Sequence, residues 1–267
     1  MLLPQWNEVI RPVIGMLHAP PLPGSPGFQG DFKSVRETVL RDAEALVAGG
    51  VDGLMLENYG DTPFYPGRVP AVTVAALAAL ATELRTQSDI PLGINVLRND
   101  GVSAIGIAAA CGASFVRINV LCGARVADQG LIQGIAHDVL RERVHLRATS
   151  IKIWADVDVK HSAALAIRPL ADEVHDLIER GHADAVIVSG VATGKPTDLQ
   201  TLREVKAAAE ATPVIVGSGV SVDQIPQLAS SANAFIVGTS LKREGNASQP
   251  VEMARVKQLV AAARATR

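Results

Sequence analysis

The polar side chains that could do chemistry fall at the ends of short apolar runs. His18 follows Val13–Leu17, Glu57 closes Gly53–Glu57, and Asn95 lies near the end of Leu92–Val96. Within residues 151–160 every odd position is apolar, and the even positions are Lys152, Trp154, Asp156, Asp158 and Lys160. Side chains alternate along a strand, so the even set shares one face as far as the chain stays extended. The same alternation aims Arg117 and Asn119 one way from Phe115–Asn119. The collected set is His18, Glu57, Asn95, Arg117, Asn119, Asp156 and Lys160. Glu57 and Asp156 suit proton transfer. Lys160 suits an electrophile, or a Schiff-base former if its pKa is depressed. The competing reading is a self-satisfied ion-pair network, with Arg117 held by Glu57 or Asp156. Either way, a buried Arg117 needs a carboxylate close by.

A second group of residues suits an anion. Gly217-Ser218-Gly219 ends the run Val214–Val216, and Gly238-Thr239-Ser240 ends Ala234–Val237. Glycine lets a backbone come close to a ligand, and hydroxyls add donors. In many barrels the loops after strands seven and eight bind a phosphate through main-chain N–H groups. Ordinary turn chemistry would also account for these glycines. The loop Ser189–Pro196 is glycine-rich too and could close over a ligand.

These residues need a scaffold that brings strand ends together. Eight apolar runs read as strands: Val13–Leu17, Gly53–Glu57, Leu92–Val96, Phe115–Asn119, Ile151–Asp156, Ala185–Ser189, Val214–Val216 and Ala234–Val237. Helical patterns are clearest at Lys33–Ala48, Ala71–Gln87, Leu131–Glu142, Pro169–Arg180, Asp198–Ala211 and Val251–Arg264. The strands recur about every 30 residues, the size of one βα repeat. We therefore expect an α/β fold, a (β/α)8 TIM barrel forming a single domain over residues 1–267, with an open doubly wound sheet as the alternative. Its site would lie at the carboxyl end of the strands. The proline-rich stretch Ala19–Gly27 falls in the first loop at that end, stiff rather than flexible, and reads as a functional loop or as a rigid cover over the mouth.

Composition narrows the partners. Basic and acidic residues number 25 and 27, and no basic stripe suggests nucleic acid. Aromatics are 3% of the chain, so the core must be aliphatic. The first residues lack a secretory pattern, and no apolar run reaches the ~18 residues of a transmembrane segment, so the expected location is the cytoplasm. Cys111 and Cys122 have no metal spacing. Cys122 is a packed thiol or a nucleophile, and Cys111 reads as core. Asp128 and Gln129 are ligand contacts or a helix cap. His161 is an acid–base group, a metal ligand, or a loop residue with no role. The sequence requires no cofactor. A divalent metal on His18, Glu57, Asp156 or His161 is compatible with it, but no fixed spacing calls for one. A homo-oligomer is left open.

Several stretches carry a resemblance. They are Val13–His18 with Pro20–Pro26, residues 53–61 with Pro63–Tyr65, residues 93–100, Arg117–Val120, Asp128–Gly130, Ala155–Val157 with Lys160-His161, and the two glycine turns. Together, from about Ile10 to Val256, they resemble the BtpA family. The departures are conservative: Leu17 and Ala19 in the opening motif and Cys122 after the fourth strand. The resemblance implies a phosphate-binding-type TIM barrel. It also implies, for one cyanobacterial branch, a link to photosystem I biogenesis, while other members occur beside sugar-metabolism genes. It brings no catalytic assignment. Two functions follow as expectations. One is an enzyme acting on a small phosphorylated sugar or nucleotide-like ligand by lyase-, isomerase- or hydrolase-type acid–base chemistry. The other is a non-catalytic biogenesis factor for a membrane complex.

Overall fold

The computed structural model describes residues 1–190 and 197–266. Eight parallel strands close into a barrel. They are β1 (Val13–His18), β2 (Gly53–Glu57), β3 (Leu92–Asn95), β4 (Phe115–Ile118), β7 (Lys152–Asp156), β9 (Ala185–Val188), β10 (Val214–Val216) and β11 (Ala234–Val237), and β11 pairs back onto β1. These are the eight runs read from the sequence, within two residues at each end. Helices follow the strands: α1 (Phe32–Gly49), α2 (Ala71–Gln87), α3 (Gly101–Cys111), α4 (Ala136–His145), α5 (Leu170–His175), α6 (Leu199–Ala208), α7 (Ile225–Leu228) and α8 (Met253–Ala265). A π turn over Asp176–Arg180 extends α5. Asp31, Asp100 and Asp198 cap α1, α3 and α6 through backbone N–H groups, as short polar side chains at these positions should.

Alternation builds a barrel interior of two layers. The lower layer is apolar and partly aromatic, where composition pointed to an aliphatic core, because three of the few aromatic residues are gathered here. Phe115 and Trp154 stack with ring centres 3.7 Å apart. Trp6, in a short turn before β1, leans on both and closes the amino end of the barrel, with its indole N–H donating to the Asp52 carbonyl at 2.9 Å. Gly93 makes room for this layer, because a Cβ there would lie 1.9 Å from the Phe115 ring. Above it the inward residues turn polar: His18, Glu57, Asn95, Arg117, Asn119 and Asp156. The outward strand residues and the inner helix faces form a second, larger aliphatic core.

Two readings are corrected. The segment expected as a helix from Leu131 begins with a strand instead. β5 (Ala124–Ala127) and β6 (Gly130–Gln133) form a hairpin, and β8 (Ser162–Ala164) joins its other edge as a small antiparallel sheet. Asp128 and Gln129 are the tip of this hairpin, not a helix cap. Gly130 supplies the left-handed backbone, φ 91°, that leaves the tip. The second correction concerns residues 151–160. β7 stops at Asp156, so Asp158 leaves the inward face. Its carboxylate is 62% exposed and pairs with Arg125 at 2.7 Å. Lys152 sits at the opposite end of β7 and pairs with Asp184 at 2.9 Å.

The proline-rich loop is laced to its neighbours. The Leu22 N–H donates to Asp61 at 2.8 Å, and Asn58 donates to the other Asp61 oxygen at 3.1 Å. Asn58 in turn accepts the Leu97 N–H at 2.7 Å. Three strand-to-helix loops are thereby tied together over one side of the mouth. No helix among the described residues is long and apolar enough to cross a membrane.

Candidate active site at the barrel mouth

The carboxyl end of the barrel holds two adjoining cavities. The first, about 300 Å³, is lined by His18, Glu57, Arg117, Lys160, both glycine turns and Arg255. The second, about 340 Å³, is lined by Tyr59, Phe64, Leu97, Arg98, Asn119, Asp128, Gln129 and His161. Glu57, Arg117 and Lys160 line both and stand at the junction.

Arg117 organises the floor. Its Nε and Nη2 donate to the two Asp156 oxygens at 3.1 and 3.0 Å, with side chains 3% and 0% exposed. Asn119 donates to Asp156 at 2.6 Å, and Asn95 donates to the Arg117 carbonyl at 3.0 Å and to Asn119 at 3.1 Å. Asp156 and Asn95 therefore lie beneath the cavity walls. They hold Arg117 and Asn119, which face the cavities. Burial works against the Arg117 charge, but Asp156 and Glu57 outweigh it and hold the guanidinium above its ordinary value.

The remaining polar groups respond to the same burial. Glu57 is pushed up by burial, only partly offset by Arg117 and Lys160. His18 is pushed down to about 3 by burial, with Lys242, Lys160 and Arg117 adding to the effect. A neutral His18 ring stacks on Tyr59 at 4.4 Å, and its Nε2 lies 3.9 Å from Glu57. Lys160 is pushed down, first by burial and then by Arg117.

The glycine turns form the opposite wall of the first cavity. Gly219 is left-handed, φ 66°. A Cβ at Gly217 would lie 2.5 Å from Ile187, and one at Gly238 would lie 2.8 Å from the His18 ring. A side chain at either position would press on these neighbours, and glycine lets the turns pack close to them. Thr239–Leu241 is a single 3-10 turn, and its first N–H groups have no partner within that turn. The Ser240 hydroxyl donates to the Val220 carbonyl at 2.6 Å. It ties the two turns together rather than pointing a donor at the cavity. Ser218 and Thr239 line the same wall.

Several participants carried no signal strong enough to single out. Arg98 lies in the stretch after β3, is buried, and donates to the Lys160 carbonyl. Arg255 reaches the first cavity from α8 and pairs with Glu252 at 3.0 Å. Buried Lys242 pairs with Asp42 at 2.9 Å. Arg and Lys on loops and helices have no strand alternation to give them a direction. Cys122 lines a different groove beside Arg125 and Asp176, where burial and Asp176 push its thiol up. That position takes it away from the mouth. Cys111 is half-buried against the helix-layer core. His161 lies at the exposed rim of the second cavity. Val191–Pro196, part of the loop read as a closure, lie outside the described residues. Among the described residues no three His, Cys, Asp or Glu side chains converge on a metal position.

The architecture is thus a (β/α)8 barrel with a single polar floor at its C-terminal mouth. Comparison with known proteins agrees on both fold and lineage. A BtpA family model matches residues 9–265. A Thermococcus kodakarensis protein is 48% identical over 257 residues, covering 96% of this chain and 97% of the relative. Photosystem I biogenesis protein BtpA of Synechocystis is 46% identical over 258 residues, covering 97% and 90%. The solved N-(5'-phosphoribosyl)anthranilate isomerase of Pyrococcus furiosus superposes with a TM-score of 0.60 at 13% identity, covering 96% and 99%. The chain belongs to the BtpA family.

Proposed function

We propose that this protein is an enzyme acting on a small phosphorylated metabolite, a sugar phosphate or a nucleotide-like compound, at the barrel mouth. The observation that carries the reading is the junction. Glu57, Arg117 and Lys160 stand between a cavity walled by two glycine turns and a second, mixed polar and aromatic one. A phosphate on residues 217–219 and 238–240 would place the carbon atoms next to it against an acid–base pair. Backbone donors and a nearby Arg255 suit a tetrahedral anion. Burial raises the pKa of Glu57 and so favours its protonated form, the form that can give a proton and take it back. Such metabolites belong to the cytoplasm, where we place the protein. The second reading, a non-catalytic biogenesis factor, is supported by the name of the Synechocystis relative. Fold alone does not decide between the two readings, but the second leaves the three inward groups without a task.

Thermal melting tests this. Inorganic phosphate, sugar phosphates and nucleoside monophosphates should raise the midpoint, and the unphosphorylated sugars should not. At about 100 times Kd the gain is about 2.7 kcal/mol, or roughly 5–10 °C at ~2–4 °C per kcal/mol. Gly238→Ala presses a methyl toward His18 and should lose most of that shift while still folding. A parent protein unmoved by every phosphorylated compound in the set would remove the reading.

A further inference from the structure

We propose that Lys160 condenses with the carbonyl carbon of a phosphorylated aldehyde or ketone, forming an imine at the junction of the two cavities. This rests on the phosphate reading of the first cavity and narrows its substrate to carbonyl compounds.

Three observations carry it. First, Lys160 lines both cavities, so a compound whose phosphate sits on the glycine turns passes its next carbon atoms beside the amine. Second, among the described residues no carboxylate forms an ion pair with Lys160, while the carboxylate beneath it, Asp156, is taken by Arg117 and Asn119. The groups facing Lys160 are Arg117 and Arg98 on the positive side and Glu57 and Asp156 on the negative side. Burial and the Arg117 guanidinium favour the neutral amine, which is the nucleophilic form. Third, the backbone under Lys160 is fixed. Arg98 donates to its carbonyl, buried Val159 packs with Val120 and Ile132, and the Ser162 hydroxyl donates to the Val159 carbonyl at 2.6 Å. A side chain kept only to attract anions would not need such an anchor.

The step balances. The neutral amine adds its electron pair to the carbonyl carbon, and a proton passes from nitrogen to the former carbonyl oxygen. Glu57 in its protonated form, which burial favours, then gives its proton to that hydroxyl, which leaves as water as the C–N bond becomes double. The products are a cationic imine, a Glu57 carboxylate and one water. The carboxylate beside the cation is then available as the base that removes a proton from a neighbouring carbon or hydroxyl. No oxidant or reductant is needed.

Borohydride trapping tests the proposal. The whole protein is incubated with glyceraldehyde 3-phosphate, dihydroxyacetone phosphate or ribose 5-phosphate, reduced, digested and mapped by mass spectrometry. The expected result is a reduced adduct on the Lys160 peptide, at least about tenfold enriched over other lysines, because among the described residues Lys160 is the lysine that lies where a bound phosphate would hold the carbonyl. Excess inorganic phosphate should suppress it, and Lys160→Arg, checked by its melting curve, should lack it. No adduct with any of the three, or adducts spread over exposed lysines and insensitive to phosphate, would overturn the imine. Phosphate-dependent melting on the same preparation separates the two ideas. A shift without an adduct overturns the imine alone, and neither shift nor adduct overturns both.

Discussion

Asp156→Asn is expected to cost about 3–5 kcal/mol of stability, the range for breaking a buried ion pair by removing one partner. The change keeps the shape of the side chain and removes its charge. Arg117 would then stay buried with its bidentate partner gone, and Glu57 would be the one other carboxylate, among the described residues, that acts on it. On ~2–4 °C per kcal/mol the midpoint should fall by roughly 10 °C. Turnover should fall too, because Arg117 and Asn119 lose the anchor that aims them at the cavities. An Asp156→Asn protein melting like the parent would show that Arg117 does not depend on Asp156, and the floor described above would have to be redrawn.

Glu57→Gln should separate chemistry from stability in the opposite sense. Loss of a working general acid should lower turnover about 100-fold or more, read with the phosphorylated compound that shifts melting most. Stability at pH 7 should hold or rise. The sign follows from burial, which raises the folded-state pKa of Glu57 above its ordinary 4.5. The folded protein keeps this proton better than the unfolded chain does. The stabilisation from that proton is complete below pH 4.5 and is lost as pH climbs through the raised folded value. Glutamine carries no such proton, so the variant should lack this loss of stability with rising pH. A fully active Glu57→Gln protein would end the acid–base role of Glu57.

How much of this was legible in the sequence differs by element. The barrel strands announce themselves because each is an apolar run between turn residues, repeated at one spacing. Alternation then places Glu57, Arg117 and Asn119 without any three-dimensional information. The small sheet was hidden. β8 is only Ser-Ala-Ala, and its partner β5 lies more than thirty residues away, so nothing local marks it. Leu131, Ile135 and Val139 also recur at helical spacing. Leu131 is nevertheless half exposed on a strand, and the helix that buries Val139 starts at Ala136. At the site, alternation fixes direction but not depth. It could not show that Asp156 and Asn95 sit below the cavity walls, or that β7 ends before Asp158. Arg98 and Arg255 arrive from outside the strands and were silent for the same reason.

The two glycine turns are proposed to hold a phosphate while Glu57 and Lys160 face what it carries. The most direct measurement is a crystal structure of the protein soaked in inorganic phosphate. One tetrahedral anion is expected in the first cavity, within hydrogen-bond distance of main-chain N–H groups of Gly219 and of residues 238–240. An empty first cavity, with those N–H groups turned from it or capped by side chains, would remove the phosphate site.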